Sequence, residues 1–115
     1  MEWTPLNKAA SYSHLAIVQY LNQHGAQIDA KIQITKRTPL TIAVIKNHID
    51  VVKCLIENGA LMEDKDRFGC TSVFYAQDQH TAKFLIDHGA QINVKNNIEQ
   101  TPLHQTLFVV SRNYL

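Results

Sequence analysis

Thr4-Pro5-Leu6 recurs as Thr38-Pro39-Leu40 and as Thr101-Pro102-Leu103, with Thr71-Ser72-Val73 in phase between the last two. The successive spacings are 34, 33 and 30 residues. A second marker keeps the same phase: His24-Gly25-Ala26, Asn58-Gly59-Ala60 and His88-Gly89-Ala90, with glycines 34 and 30 apart. Self-similarity at this period marks a repeat architecture. Each unit is too small to bury its own apolar face, so the stack of neighbours supplies the core. That constraint acts on a chain of 115 residues, the length of one domain.

The residues of one unit predict a pair of helices. Thr38 can accept a bond from an orphan N–H and cap the first. Pro39 suits the first helical position, where its missing N–H loses nothing. Leu40, Ala43 and Val44 share one face at i, i+3, i+4. Asn47-His48 forms a short turn, and a second helix starts near Ile49 with Val52, Leu55 and Ile56 inward. Asn58-Gly59 ends it, since glycine is free to take the left-handed conformation beyond a helix C-terminus. The polar stretch Leu61 to Cys70 reads as an extended arm with a tight turn at Phe68-Gly69. In the first unit Leu6, Ala9 and Ala10 line the first helix, and Ile17, Val18 and Leu21 the second. The small Ala9, Ala10, Ala43 and Ala76 allow close helix approach.

These features resemble the ankyrin repeat, whose signature is a helix pair opening on T-P-L-H-x-A at a period near 33. The likeness covers essentially the whole chain. The full T-P-L-H stands at Thr101 to His104, while the fourth position is Asn7, Thr41 and Phe74 in the other units. The resemblance implies an all-α solenoid of stacked antiparallel helix pairs with protruding β-hairpin-like arms. Residues 1–115 form one domain with repeats at about 4–37, 38–70 and 71–100 and a partial unit at 101–115.

Three departures from the pattern carry expectations. The first arm, Ala30 to Arg37, is one residue longer than the second and has Lys36 where a turn glycine is usual, so its tip should bulge. The third unit is three residues short: Thr71 to Gly89 spans 18 positions against 21 before. Asp78 should therefore cap the second helix, ahead of Ala82, Leu85 and Ile86. The first helix should lose about one turn, leaving a notch in the concave face. The fourth unit stops early, with the apolar run Phe108-Val109-Val110 near its end. Native terminal repeats present a polar face, so two expectations compete: a fragment of a longer array, which the capping argument favours, or docking of these residues on something else.

The resemblance also implies a protein–protein interaction module that grips its partner on the concave face, made of arm tips and first helices. Carried onto this chain, the partner-binding candidates are Trp3, Lys8, Tyr12, Arg37, Ile45, Lys46, Arg67, Phe68, Tyr75 and Ile98, with Ile42 beside them. Aromatic residues and arginine are the usual interface anchors. For Ile42 and Tyr75, packing between repeats is the competing assignment; for Trp3 it is a cap over the first helix. The alternative function is a targeting or recruitment segment of a larger enzyme, channel or secreted host-directed effector.

Other classes find little support. Eleven basic and ten acidic residues give a net charge of +1, and no basic stripe marks a nucleic-acid surface. Lys36-Arg37 and Lys65-Asp66-Arg67 read as solvated surface. Cys54 and Cys70 form no CxxC and read as free thiols in a reducing compartment, Cys54 packed and Cys70 exposed near an arm tip. No apolar run reaches membrane-span length, and Met1 to Pro5 lacks the basic flank and apolar core of a signal peptide. His14 and His48 share the inter-helix turn position, and His24 and His88 precede the glycine, where a histidine suits the helix dipole. No metal motif, phosphate loop or nucleophile–base context appears. The expectation is no catalysis, cofactor or metal, one protein partner, a monomer in isolation, and a cytoplasmic location, or host cytoplasm for an intracellular pathogen. Leu85, eight residues before Asn93, sets a context similar to that in which ankyrin-repeat asparagines are hydroxylated by an oxygen-dependent asparaginyl hydroxylase. The alternative is that Asn93 serves the arm turn, as Asp29 does in the first unit.

Overall fold

The computed structural model describes residues 3–103. Within them are helices α1 (Pro5–Ser11), α2 (Leu15–Gln23), α3 (Pro39–Ile45) and α4 (Ile49–Glu57), a 3₁₀ turn (Ser72–Tyr75) and helix α5 (Gln79–Asp87). They build an all-α repeat stack, with no strand among the described residues. α1 packs on α3 and α3 on the 3₁₀ turn, which makes one layer, and α2 packs on α4 in the second. The expected fourth unit beyond Leu103, including His104 and Phe108 to Val110, lies outside the described residues.

The helix starts follow from capping chemistry. Thr4 Oγ1 accepts from Asn7 N–H at 3.1 Å and Thr38 Oγ1 from Thr41 N–H at 3.3 Å, each followed by proline at the first helical position. Asp78 caps α5 by accepting from Thr81 N–H at 2.8 Å. Its carboxyl is held below its ordinary value of 3.8 chiefly by that backbone bond. The helix ends repeat one device three times. Ala26, Ala60 and Ala90 donate to the carbonyls of Leu21, Leu55 and Leu85, all at 3.0 Å. Gly25, Gly59 and Gly89, just before them, are left-handed. This is the Schellman closure, which satisfies carbonyls the helix leaves free. The preceding side chain adds a bond: His24 and His88 donate from Nδ1 to the carbonyls of Tyr20 and Phe84 at 2.8 Å, and Asn58 does the same to Cys54 at 2.7 Å.

The core runs through the units in register. Leu6, Leu40 and Val73 are buried, as are Ala9, Ala43 and Ala76. Val18, Val52, Leu55 and Leu85 are fully enclosed. Each such leucine contributes about 1.5–3 kcal/mol relative to exposure. The fourth signature position is structural: Asn7, Thr41 and Phe74 are all buried. Asn7 reaches from there to the Ala30 carbonyl at the base of the first arm, at 3.3 Å. His48 Nε2 bonds the Ser11 carbonyl at 3.0 Å and so ties the second unit to the first.

Several expectations are corrected. Ile17 and Ile86, placed inward on sequence, are exposed, and Val51 is fully buried instead. Cys70 is buried rather than exposed, with Asn96 Nδ2 3.6 Å from its sulfur. Asp66, read as solvated, is buried, and Arg37 is half-buried. The first helix of the short unit is a four-residue 3₁₀ turn, not a shortened α-helix, and the backbone leaves it extended at Ala76. Gln77 and Asn47 then bridge the shortened segment, to the Ile45 carbonyl and to Asp78.

The arms are turns rather than strands. Asp66 N–H donates to the Cys70 carbonyl at 2.9 Å and Asn96 N–H to Gln100 at 2.8 Å. The first arm closes one residue wider, from Ile32 N–H to Arg37 at 2.9 Å, which accommodates the extra residue. The tip residues Lys36, Gly69 and Glu99 occupy the same left-handed position, with φ of 62°, 77° and 66°. At Gly69 this matters doubly, because a Cβ would meet the Asn97 side chain and lie 2.9 Å from its backbone nitrogen. Adjacent tips are joined by Arg67 N–H to the Thr35 carbonyl, 2.9 Å, and Asn97 N–H to the Phe68 carbonyl, 3.0 Å.

Candidate partner-binding face

The first arm and the first helix of the second unit share a surface, since Ile32, Thr35 and Arg37 line one groove with Ile42, Ile45 and Lys46. The cap threonines and tip turns decide where the candidate side chains point. Two grooves meet at Trp3. One, about 100 Å³, is lined by Trp3, Ile32, Thr35, Arg37, Ile42, Ile45 and Lys46. The other, about 230 Å³, is lined by Trp3, Lys8, Ser11 and Tyr12. Both are smaller than the ~300–1,000 Å³ that enclose a drug-sized ligand.

A second group forms around Asp66, a residue that the sequence reading left on the surface. Its Oδ1 accepts from Phe68 N–H at 2.9 Å and Cys70 N–H at 3.1 Å. Its Oδ2 accepts from the Tyr75 hydroxyl and from Arg37 Nε at 3.4 Å. Arg37 Nη2 donates in turn to the Tyr75 oxygen at 3.4 Å. The Asp66 side chain is 1% exposed and that of Arg37 26%. A buried carboxylate requires such pairing. Burial, with the bond to Asp66, pushes the Tyr75 hydroxyl well above its ordinary value, so it stays a donor. Burial opposes the Arg37 charge, but Tyr75 and Asp66 outweigh it and the guanidinium is held above its ordinary value.

This cluster locks the second arm tip. The Arg37 guanidinium carbon lies 5.2 Å from the Tyr75 ring centroid and 5.9 Å from that of Phe68, and the Arg67 carbon lies 5.4 Å from Phe68. Guanidinium over an aromatic face is attractive at this range. Phe68 is half exposed yet held by its own backbone bonds and two cations, which reduces the ordering cost of any contact it makes.

The candidates thus fall into groups. Trp3, Arg37, Ile45 and Lys46 share the first groove, and Trp3, Lys8 and Tyr12 the second. Arg37, Arg67, Phe68 and Tyr75 form the arm cluster, in which Arg37 and Tyr75 also have internal roles. Ile98 is 70% exposed on the third tip, outside both grooves. Ile42 is buried and forms groove floor. Asn93 is exposed at a separate depression of about 200 Å³ with Ile86, Ile92 and Leu103. The residue missed on sequence was Asp66, and the available signal was its pairing with Asn96. Asn96 Oδ1 accepts from Ile98 N–H at 3.0 Å and Gln100 N–H at 2.9 Å, the same turn 30 residues later. Among the described residues no group of three His, Cys, Asp or Glu side chains could hold a metal ion, and no helix is long and apolar enough to cross a membrane.

Comparison with known proteins agrees with this geometry. The family model for ankyrin repeats (3 copies) matches residues 1–66 and 27–96. An ankyrin repeat and KH domain-containing protein of Caenorhabditis briggsae is 32% identical over 104 residues, covering 87% of this chain and 4% of that protein. A transient receptor potential cation channel subfamily A member 1 homolog of Caenorhabditis elegans is 34% identical over 104 residues, 87% of this chain and 8% of its own. A putative ankyrin repeat protein of Fowlpox virus (strain NVSL) is 32% identical over 104 residues, 86% of this chain and 30% of its own. The chain therefore spans between 4% and 30% of the length of these relatives. With the helix pairs, capped starts and glycine closures in register across the matched residues, the chain belongs to the ankyrin repeat family.

Proposed function

We propose that this chain binds a partner protein on its concave face, across the arm tips and first helices. Ankyrin repeats are protein-interaction modules and typically non-catalytic. The observation that supports the reading is that Trp3, Tyr12, Phe68 and Ile98, at or beside the arm tips and first helices, are exposed, and that Trp3 lines two grooves. The grooves accept side chains rather than a whole small molecule, which favours a protein over a metabolite.

A role within a larger protein is the companion reading. The relatives carry matching repeats in much longer chains, one of them a channel homolog by name. In that setting the repeats recruit or position the rest of the protein, and a cytoplasmic location fits the two unpaired buried cysteines.

Affinity capture tests the proposal. The wild-type chain and the variants Tyr12→Arg and Phe68→Arg are used as baits, with circular dichroism to show that the stack is intact. Bound proteins should be depleted in both variants. An unchanged set of partners at unchanged affinity in both rejects this face.

A further inference from the structure

We infer that the segment this face takes is an acidic stretch of protein carrying one bulky apolar side chain. The inference rests on the concave-face reading and adds the chemistry of the partner. The floor of the smaller groove is apolar, from Ile32 and Ile42, with Ile45 half-buried beside them. At about 100 Å³ it has room for a single side chain. Lys46 stands on its rim, and Lys8 lines the groove on the other side of the Trp3 indole.

Charge on these walls is one-sided although the chain as a whole carries +1. Among the described residues no aspartate or glutamate lines either groove. The carboxylate nearest in the network, Asp66, is buried and committed to Arg37. Among the described residues the ion pairs are Arg37–Asp66, Lys83–Asp87 and Lys95–Glu99, so neither Lys8 nor Lys46 has a carboxylate partner. Asp50 and Glu57 lie on α4 and Asp87 on α5, in the second-helix row. Complementary charge steers encounter and fixes register. A nucleic acid would call for a run of cations tracking successive phosphates. Two lysines on either side of an indole, above an apolar floor, instead match carboxylates on either side of an apolar residue.

The experiment is a random-peptide display selection on the immobilised full chain, followed by titration of synthetic peptides. Trp3 is the one tryptophan of the chain, so its emission reports groove occupancy directly. Enriched peptides should place Leu, Ile or Phe between acidic residues. A glutamate-flanked leucine peptide should shift Trp3 emission, bind more weakly as salt rises, and lose about tenfold or more in affinity on the double substitution Lys8→Glu, Lys46→Glu. That variant should favour a lysine-flanked leucine peptide. Equal binding of glutamate-, glutamine- and lysine-flanked peptides to the wild type overturns the inference, as does an unaffected double variant or an oligodeoxynucleotide that competes at the same lysines. A neutral apolar peptide whose binding is lost in Ile45→Thr leaves the concave-face reading standing and removes the acidic requirement. Peptides that bind regardless of Ile45→Thr and of the lysine reversals overturn both.

Discussion

Replacing Asp66 tests whether one buried carboxylate holds the second arm in place. Asp66→Ala removes the acceptor of four bonds: Phe68 N–H, Cys70 N–H, Arg37 Nε and the Tyr75 hydroxyl. Bonds to a charged group are worth about 1.5–3 kcal/mol each, and the losses are not additive. Removing one member of a buried pair costs about 3–5 kcal/mol. The Arg37 side chain is 26% exposed and regains water, so the lower end applies and the loss should be about 3 kcal/mol. Asp66→Asn is the informative control, because Asn96 already makes the same two backbone bonds at the equivalent position. Asparagine at 66 should keep the turn and lose the pairing with Arg37, at about 1.5 kcal/mol. Tyr75→Phe should cost about 1 kcal/mol in the wild type and almost nothing in Asp66→Ala, as a double-mutant cycle requires for a shared interaction. Urea unfolding followed by far-UV circular dichroism measures all four. Equal losses for Asp66→Ala and Asp66→Asn, or a loss under about 1 kcal/mol for Asp66→Ala, would refute the lock.

Three further outcomes follow from single residues. Lys36 and Glu99 hold left-handed backbone that strains a side chain, so Lys36→Gly and Glu99→Gly should each stabilise by about 0.5 kcal/mol in the same urea assay; destabilisation contradicts the tip geometry. The Asp78 carboxyl is depressed below 3.8 in the folded chain, so its contribution is present above that value and is lost as pH falls through the lower folded one. Asp78→Asn keeps a good cap but does not titrate, so its stability should fall less between about pH 4 and pH 2 than that of the wild type; parallel curves would refute the assignment. Cys54 and Cys70 are 7% and 6% exposed, and burial pushes the Cys54 thiol up. Both should react with a disulfide reagent in urea and resist it in the native chain; rapid native labelling of either contradicts the packing.

The parts of this fold that were legible in sequence are those encoded locally. Thr4, Thr38 and Asp78 lie next to the N–H groups they cap, and Gly25, Gly59 and Gly89 next to the helices they end. Burial between units was harder to read. Ile17 and Val51 hold equivalent positions, yet Val51 is fully buried and Ile17 half exposed. Thr81, the next equivalent, is buried too. The position faces the preceding unit, and no described unit precedes the first, so helical periodicity alone misplaced Ile17. Ile86 faces the opposite way, toward the fourth unit, where the described residues end at Leu103. Asp66 was missed for a different reason. Its partners are Arg37, at the end of the preceding unit, and Tyr75, in the next one, and a cluster assembled from two arms and a 3₁₀ turn leaves no local pattern. Cys70 was misplaced because the cover over it comes from Asn96, in the following arm.

The central claim is that the arm tips and first helices form the working face. Hydrogen–deuterium exchange of the full chain, alone and bound to a partner recovered by affinity capture, tests it most directly. Added protection should fall on residues 3–12, 35–46 and 67–75, around Trp3, Lys46 and Phe68. Protection confined to the second-helix row, α2, α4 and α5, with those segments unchanged, would contradict the account.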